Sequence, residues 1–340
     1  MANRDIVAIG ASAGGIEALV HLVRDFPREF PASVLVTVHV PSTRQSVLDG
    51  ILSNAGPLPA SFAEPNERLR KGRIFIAPGD RHLIVEDDRF TLGHGPRENN
   101  TRPAIDPMMR SIATCCGPRA IGVVLTGTLS DGASGLWAID QCGGITVVQD
   151  PNDAAFPEMP ANALNRLQPD HVVTLEAMPR LLASLVLQPA GATMPVPKSI
   201  QFEVAVAKGG ASKTDDMDHI GRRSALACPD CHGVMWEIDE GDLVRYRCHV
   251  GHTYTAELMA LAIDENLRRA LGSALRALEE RRTLANRLRR QAEQSRQPNL
   301  AASWRQREND AQREVDLIRT SISRLDDITA HEERRKPAAE

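Results

Sequence analysis

The chain has 340 residues, a formal net charge of −4, 42% hydrophobic residues and only 4% aromatic ones. At roughly 150 residues per domain this is about two folded units, whose cores must be built from Val, Ile, Leu and Ala. A nearly balanced charge argues against a general nucleic-acid binder, and no apolar run approaches the ~18 residues of a membrane span, so no membrane insertion is expected.

Residues 1–5 and the apolar stretch behind them imitate a secretory leader, but Asp5 and Glu17 interrupt it and it is rich in Gly rather than Leu. It reads as the first strand of a cytoplasmic protein. Across 1–188, short β-branched runs recur at 6–9, 34–38, 74–76, 121–125, 145–148 and 172–175. Helical stretches at 16–24, 133–141 and 178–187 alternate with several of them. This pattern predicts an α/β fold, a doubly wound, mostly parallel sheet with Rossmann-like topology. The stretch 56–95 predicts shorter strands in an antiparallel excursion. Cys115, Cys116 and Cys142 sit in apolar sequence and are expected to behave as small hydrophobes.

Residues 189–222 read as a linker, punctuated by Pro189, Pro195, Pro197, Gly209 and Gly210, with one short strand at 202–206. A Cys/His cluster occupies 223–255. From 256 to 331 the pattern predicts an α-helical hairpin. Leu267, Leu271, Ala274, Leu278, Ala285 and Leu288 form one stripe, Gln297-Pro298-Asn299 break it, and Ala311, Val315, Ile318, Ile322 and Leu325 follow at heptad spacing. The tail at 332–340 is charged and expected to fray.

Gly10-Ala11-Ser12-Ala13-Gly14-Gly15 follows the first strand and opens a helix. A dinucleotide fingerprint needs Gly where Ser12 stands. A purely structural tight turn is a second reading. The third is a nucleophile elbow, with a serine on a sharp turn at a helix N-terminus whose free N–H groups can hold an oxyanion. A serine needs a base and an orienting group. His39 ends the second strand and Asp131 stands just beyond a later one. Alone, His39 reads as a structural residue and Asp131 as a helix N-cap. Together with Ser12 they fall at the C-terminal edge of the predicted sheet, where open α/β sheets place their sites.

The pieces Ile9-Gly10-Ala11-Ser12-Ala13-Gly14-Gly15, His39-Val40-Pro41, Ala77-Pro78-Gly79-Asp80-Arg81-His82, Arg102-Pro103-Ala104-Ile105-Asp106, Leu125-Thr126-Gly127 with Asp131-Gly132-Ala133-Ser134-Gly135, and Met159-Pro160-Ala161-Asn162-Ala163 stand in one order across 1–188. In them the chain resembles the chemotaxis receptor protein-glutamate methylesterase (CheB) family. The resemblance implies a Ser–His–Asp triad with Ser12 as nucleophile, His39 as base and Asp131 as orienting carboxylate. Ala13 and Thr128 would lie in the segments that hold the oxyanion. It also implies hydrolysis of glutamate methyl esters on a chemotaxis receptor, deamidation of receptor glutamine by the same path, and no cofactor for catalysis. Arg102, Asp80 and His82 would stand near the site. Two departures accompany it. The chain begins at the catalytic region, so control by an N-terminal receiver domain is not expected. The loop also reads Thr128-Leu129-Ser130 where Met, Gly and a variable residue are usual. A non-catalytic signalling adaptor and an esterase for another protein or small-molecule ester are the competing functions.

Cys228-Pro229-Asp230-Cys231, followed by Cys248-His249-Val250-Gly251-His252, has the spacing of two zinc knuckles. Cys228, Cys231, Cys248 and His252 are the expected ligands of a structural Zn2+ in a small zinc ribbon, with His232 the alternative and His249 pointing elsewhere. Buried thiols beside unrelated histidines are the bland reading. Four protein ligands leave no open position for catalysis. On the hairpin, Arg281, Arg282, Arg287, Arg289 and Arg290 read either as a solvated face or as a surface for an acidic partner or self-association.

Overall fold

The computed structural model describes residues 3–39, 47–209, 217–218, 220–240 and 243–335. Val40 and Pro41 of the His39-Val40-Pro41 piece, Gly210 of the expected linker and the last five residues of the tail lie outside the described residues. The first elements are β1 (Ile6–Ala11), α1 (Gly15–Arg24), β2 (Ser33–Val38), α2 (Leu48–Ala55), β3 (Ala60–Phe62), β4 (Arg73–Ile76), β5 (His82–Glu86) and β6 (Arg89–Gly93). Next come α3 (Ile105–Cys116), β7 (Ala120–Val124), α4 (Ala133–Gln141), β8 (Ile145–Gln149), α5 (Glu158–Arg166), β9 (His171–Val173), α6 (Met178–Leu185) and α7 (Lys198–Ala207).

Seven of these strands form one sheet in the order β3-β4-β2-β1-β7-β8-β9, and every pairing in it is parallel. Every residue of β1 is buried. Val7, Ile9 and Ala11 face a core shared with α1, α2 and α6. Ile6 and Ala8 face a second core shared with α3, α4, α5 and α7. Burial on both faces is why the strand shows no polar alternation. The chain moves outward from β1 to β2 and then returns to β7 on the other side. The C-terminal ends of β2, β1 and β7 therefore flank the point where strand order reverses.

The expected antiparallel excursion is confined to β5 and β6, which pair antiparallel in a separate two-stranded sheet. Asp87 and Asp88, with φ of 48° and 56°, make the two-residue loop that such a hairpin needs. β3 and β4 instead extend the main sheet in parallel, because Ile74, Phe75 and Ile76 are buried on both faces. The strand expected at 202–206 is part of helix α7. Its Val and Phe content suggested a strand, but Ile200, Glu203, Val204, Val206 and Ala207 are buried, and 200, 203, 204 and 207 share one helical face. A buried Glu inside the stripe hid it. Helices α2, α3 and α5 carry no strong sequence signal; α3 has Pro107 in its first turn, where a missing N–H costs little.

A four-stranded antiparallel sheet follows, from β10 (Arg222–Ala227), β11 (Val234–Glu240), β12 (Leu243–Cys248) and β13 (Thr253–Thr255) in sequential order. It belongs to the same compact unit as the parallel sheet, which runs to Met259. The expected division at 189–222 therefore separates nothing: α7 and the small sheet are packed parts of one body.

The second unit, from Ala260, holds most of two long helices, Ala256–Gln294 and Pro298–Arg335. Arg319 meets Glu279, Arg282 meets Gln312 and Arg289 meets Glu308. Partner numbers fall on one helix as they rise on the other, so the hairpin is antiparallel. Ala285, Ala311 and Val315 of the predicted stripes are buried, whereas Leu267, at the end of its stripe, is 43% exposed. The second helix runs on to Arg335, four residues past the expected end. Arg281, Arg282 and Arg289 of the basic patch are engaged by Glu314, Gln312 and the pair Glu293 and Glu308.

Candidate active site

Ser12 stands between β1 and α1. Its N–H donates to the Thr126 carbonyl at 3.0 Å, and its own carbonyl accepts the Gly15 N–H at 2.9 Å. The chain reverses at Gly14, whose φ of 69° is left-handed. Gly10 is required for another reason: a Cβ there would stand 2.3 Å from the Ile105 side chain of α3. The result is a tight strand–turn–helix with the serine at its apex.

His39, just past β2, brings Nδ1 within 3.0 Å of Ser12 Oγ. Its Nε2 lies 2.7 Å from Asp131 Oδ2. The ring tautomer that serves both contacts carries its proton on Nε2, donates to Asp131 and presents a lone pair to the serine hydroxyl. The three sequence-predicted residues are thus brought together in hydrogen-bonded series.

Asp131 is buried and accepts from every neighbour. Oδ2 takes the Ile105 N–H at 2.7 Å. Oδ1 takes the N–H of Asp106 at 3.2 Å, of Gly132 at 3.0 Å, and Asn99 Nδ2 at 3.0 Å. It therefore caps the N-terminus of α3, a helix remote in sequence. Burial alone would raise its pKa, but the His39 bond and charge and the two α3 amides outweigh burial and hold it at about 2. Asp106, in the first turn of α3, returns the favour to α4 by accepting the N–H groups of Gly132 at 3.0 Å and Gly135 at 2.7 Å.

Burial, and then the charge of Asp131, push Asp106 up to about 8. The unfolded chain ionises this group near an ordinary carboxylate value of about 3.9. Its contribution to stability is therefore complete below that pH and declines as pH rises toward about 8. Asp106→Asn should flatten that decline, so that the variant gains stability over the parent at pH 8 relative to pH 5. Thermal unfolding at pH 5 and pH 8 checks this; an equal loss at both pH values would contradict it.

Asn99, Thr101 and Asp106 have no assigned role in the sequence reading. Asn99 bridges the two carboxylates, reaching Asp106 Oδ2 at 3.2 Å as well as Asp131. Thr101 Oγ1 donates to the Glu98 carbonyl at 3.1 Å and lies 3.3 Å from His39 Nε2. No local pattern marks them; Asn99 and Asn100 both adopt a left-handed φ, which asparagine tolerates. Arg102, Asp80 and His82, expected near the site as structural or substrate-positioning groups, are bonded within the neighbouring loops. Arg102 Nη2 meets Asp80 Oδ1 at 2.7 Å and its Nη1 meets the Gly95 carbonyl at 2.7 Å. Buried His82 links the Pro96 carbonyl to the Ala104 N–H.

Gly127 abuts the serine, since a Cβ there would stand 2.8 Å from Ser12 Cβ. Thr128, half-buried, comes next. The Thr128-Leu129-Ser130 loop is tied down beyond it: the Leu129 N–H donates to Glu158 Oε2 at 3.1 Å, and its carbonyl accepts Asn162 Nδ2 at 2.7 Å. Ala13 lends its carbonyl to Thr126 Oγ1 at 3.1 Å, so the two segments expected to hold an oxyanion are bonded to each other.

The sequence model of the family described as CheB methylesterase matches residues 7–182, just over half of the chain. The chain belongs to the CheB methylesterase family. It is 35% identical over 191 residues to a protein-glutamate methylesterase/protein-glutamine glutaminase of Methanosarcina mazei, covering 54% of this chain and 52% of that one. It is 34% identical over 184 residues to a putative enzyme of the same name from Leptospira interrogans, covering 54% of this chain and 95% of that one. The CheB methylesterase catalytic domain of Thermotoga maritima superposes with a TM-score of 0.52 at 30% identity, over 55% of this chain and all of that one. The chain spans about half the length of the Methanosarcina relative. The triad, the Asp131 network and the parallel sheet lie within the matched CheB region; α7, the small antiparallel sheet and the long helices lie beyond it.

In the small sheet, Cys228 and Cys231 close β10 and Cys248 and His252 join β12 to β13. Each pair sits on a tight turn: the His232 N–H donates to the Cys228 carbonyl at 2.9 Å and the Gly251 N–H to the Cys248 carbonyl at 2.9 Å. The four ligand atoms lie within 4.8 Å of one another. Cys231 Sγ is 3.7 Å from Cys248 Sγ, and His252 Nδ1 is 3.5 Å from the Sγ atoms of both Cys228 and Cys248. A tetrahedral zinc with bonds of ~2.3 Å to sulfur and ~2.0 Å to nitrogen requires edges of about these lengths. His252 Nε2 lies 3.9 Å from Asp230 Oδ2, which accepts the Tyr254 hydroxyl at 2.6 Å. A carboxylate behind a ligating imidazole is the usual outer support. His232 and His249 are exposed and stand outside the four-residue group. No helix among the described residues is long and apolar enough to cross a membrane.

Proposed function

We propose that the chain is a protein-glutamate methylesterase that removes methyl groups from γ-glutamyl methyl esters of chemotaxis receptors. The Ser12–His39–Asp131 series, with contacts of 3.0 and 2.7 Å, carries this reading. His39 Nδ1 accepts the Ser12 proton as Oγ attacks the ester carbonyl, and the imidazolium that forms is stabilised by ionised Asp131. The backbone N–H groups of Ala13 and Thr128 receive the developing oxyanion, with the dipole of α1 behind them. His39 returns the proton to the methoxide, and methanol leaves. Water, deprotonated by His39, then attacks the acyl-serine; the carboxylic acid departs and Ser12 regains its proton. A receptor glutamine follows the same path with ammonia leaving, which supports glutaminase activity as well.

The four-residue Cys/His group is proposed to hold a structural Zn2+, on the strength of its tetrahedral edge lengths. With three thiolates and one imidazole, the ion would close the two knuckles of a sheet too small to make its own core. It takes no part in ester hydrolysis.

A serine-directed alkyl fluorophosphonate tests the nucleophile without knowledge of the receptor. One adduct per chain is expected, mapping to the peptide that holds Ser12, and none on Ser12→Ala. Labelling of Ser12→Ala at the parent rate would contradict the assignment.

A further inference from the structure

The loop that holds the triad's carboxylate is itself held by the Cys/His sheet. The Asn99 N–H donates to the Thr253 carbonyl at 3.0 Å, and Glu98 forms a parallel bridge with the same Thr253. Thr253 follows His252 directly and lies five residues beyond Cys248. One residue, Asn99, thus touches the metal-ligand turn through its backbone and Asp131 through its side chain. Buried charge reinforces the joint. Glu98 is ion-paired with Arg110 of α3, and Arg247 of β12 stands 3.8 Å away. Gly251, in the ligand turn, is so close to Pro96 that a Cβ would lie 2.7 Å from its ring.

The cost of this arrangement points the same way. Asn99 Oδ1 is buried with no hydrogen-bond partner among the described residues, an arrangement that opposes folding. Its amide therefore earns its place through Nδ2, which donates to Asp131 and Asp106 together.

We infer that the metal-bound Cys/His sheet is a control element for the active site: the ligand turn fixes Asn99, and Asn99 fixes Asp131 against His39. Asn99 is a positioning residue in this scheme and touches no reacting atom. Loss of metal opens the 248–252 turn, frees the Thr253 carbonyl and lets Asn99 swing away from Asp131. Catalysis is then gated by the occupancy of a zinc site that lies outside the chemistry. The inference rests on the triad and zinc readings proposed above.

The test uses the full chain, zinc-loaded or stripped with a chelator, with zinc content measured on each sample. The readout is the rate of Ser12 phosphonylation across pH. Stripping should slow labelling about tenfold or more, the scale on which outer-shell partners act, while far-UV circular dichroism keeps the signal of the parallel sheet and its helices. Restoring zinc should restore the rate. Asn99→Ala should show a comparable loss in the loaded form, and stripping should then cost it little more, because both changes break one path. Asn99→Gln, which keeps an amide donor, should recover part of the rate and regain its dependence on zinc; a general loosening would not distinguish the two variants. Three results overturn the inference and are distinguishable. Protein that binds no zinc overturns it at the metal. Loaded protein whose Ser12 does not label overturns it at the triad. Stripping that slows parent and Asn99→Ala by the same factor, or neither, overturns the coupling itself.

Discussion

Asp131→Asn should lower turnover of a methyl ester by about 10⁴-fold and leave KM near the parent value. Five donors converge on this carboxylate: the His39 ring, Asn99 Nδ2 and the N–H groups of Ile105, Asp106 and Gly132. An amide in its place has one oxygen for them and must turn an NH2 group toward the rest. If the NH2 faces His39, the ring is driven to the tautomer with its proton on Nδ1, which then points at Ser12 and cannot accept the serine proton. If it faces the other way, it meets Asn99 and the amides that cap α3. Some loss of stability should accompany the loss of rate, because a helix cap is weakened. Steady-state kinetics and thermal unfolding on the same samples separate the two. A kcat within tenfold of the parent would show that Asp131 is a cap alone.

Glu203→Gln should lower the stability of the unit containing residues 3–259 by about 3–5 kcal/mol. Glu203 of α7 is the shared partner of three guanidiniums: it is ion-paired with Arg110, and its Oε1 accepts Arg245 at 2.8 Å and Arg247 at 3.0 Å. All four side chains are almost fully buried. Burial would raise the Glu203 carboxyl, but Arg110, Arg245 and Arg247 hold it well below its ordinary range. The stability tied to this group is therefore present above about pH 4.3 and is lost as pH falls through the folded value. Glutamine keeps the shape but removes the one carboxylate that Arg110, Arg245 and Arg247 share. Urea unfolding at pH 7 followed through Trp236, in β11, reads the effect. A change below about 1 kcal/mol, the scale of the exposed pairs on the long helices, would contradict the account of this cluster as the joint between α3, α7 and β12.

Much of this was legible before any coordinates. Strands such as Val34-Leu35-Val36-Thr37-Val38 are β-branched or apolar and buried along their whole length because both faces of the sheet are covered, and that pattern survives in sequence. The elbow glycines are legible because Gly14 must be left-handed and Gly10 must admit Ile105. What was hidden follows from physics that a linear pattern does not carry. Glu203 reads as a polar residue on a weak strand until three arginines from distant elements gather around it. Asp131 reads locally as the cap of α4, yet it caps α3, and Asp106 in α3 takes amides at the start of α4; neither cross-connection shows in the linear pattern. Asn99 is found only when β13 is seen to lie against its backbone. The boundary drawn at the Pro- and Gly-rich stretch failed for the same reason, since composition reports local stiffness and not what a segment packs against.

The most direct test of the central claim is methanol release from a methylated chemotaxis-receptor cytoplasmic fragment, parent against Ser12→Ala. The account predicts release by the parent with a loss of about 10³-fold or more in the variant, whose circular dichroism is unchanged. Equal release by both proteins would show that Ser12 is not the nucleophile. No release by a parent that still labels at Ser12 would place the same chemistry on a different ester and contradict the receptor assignment.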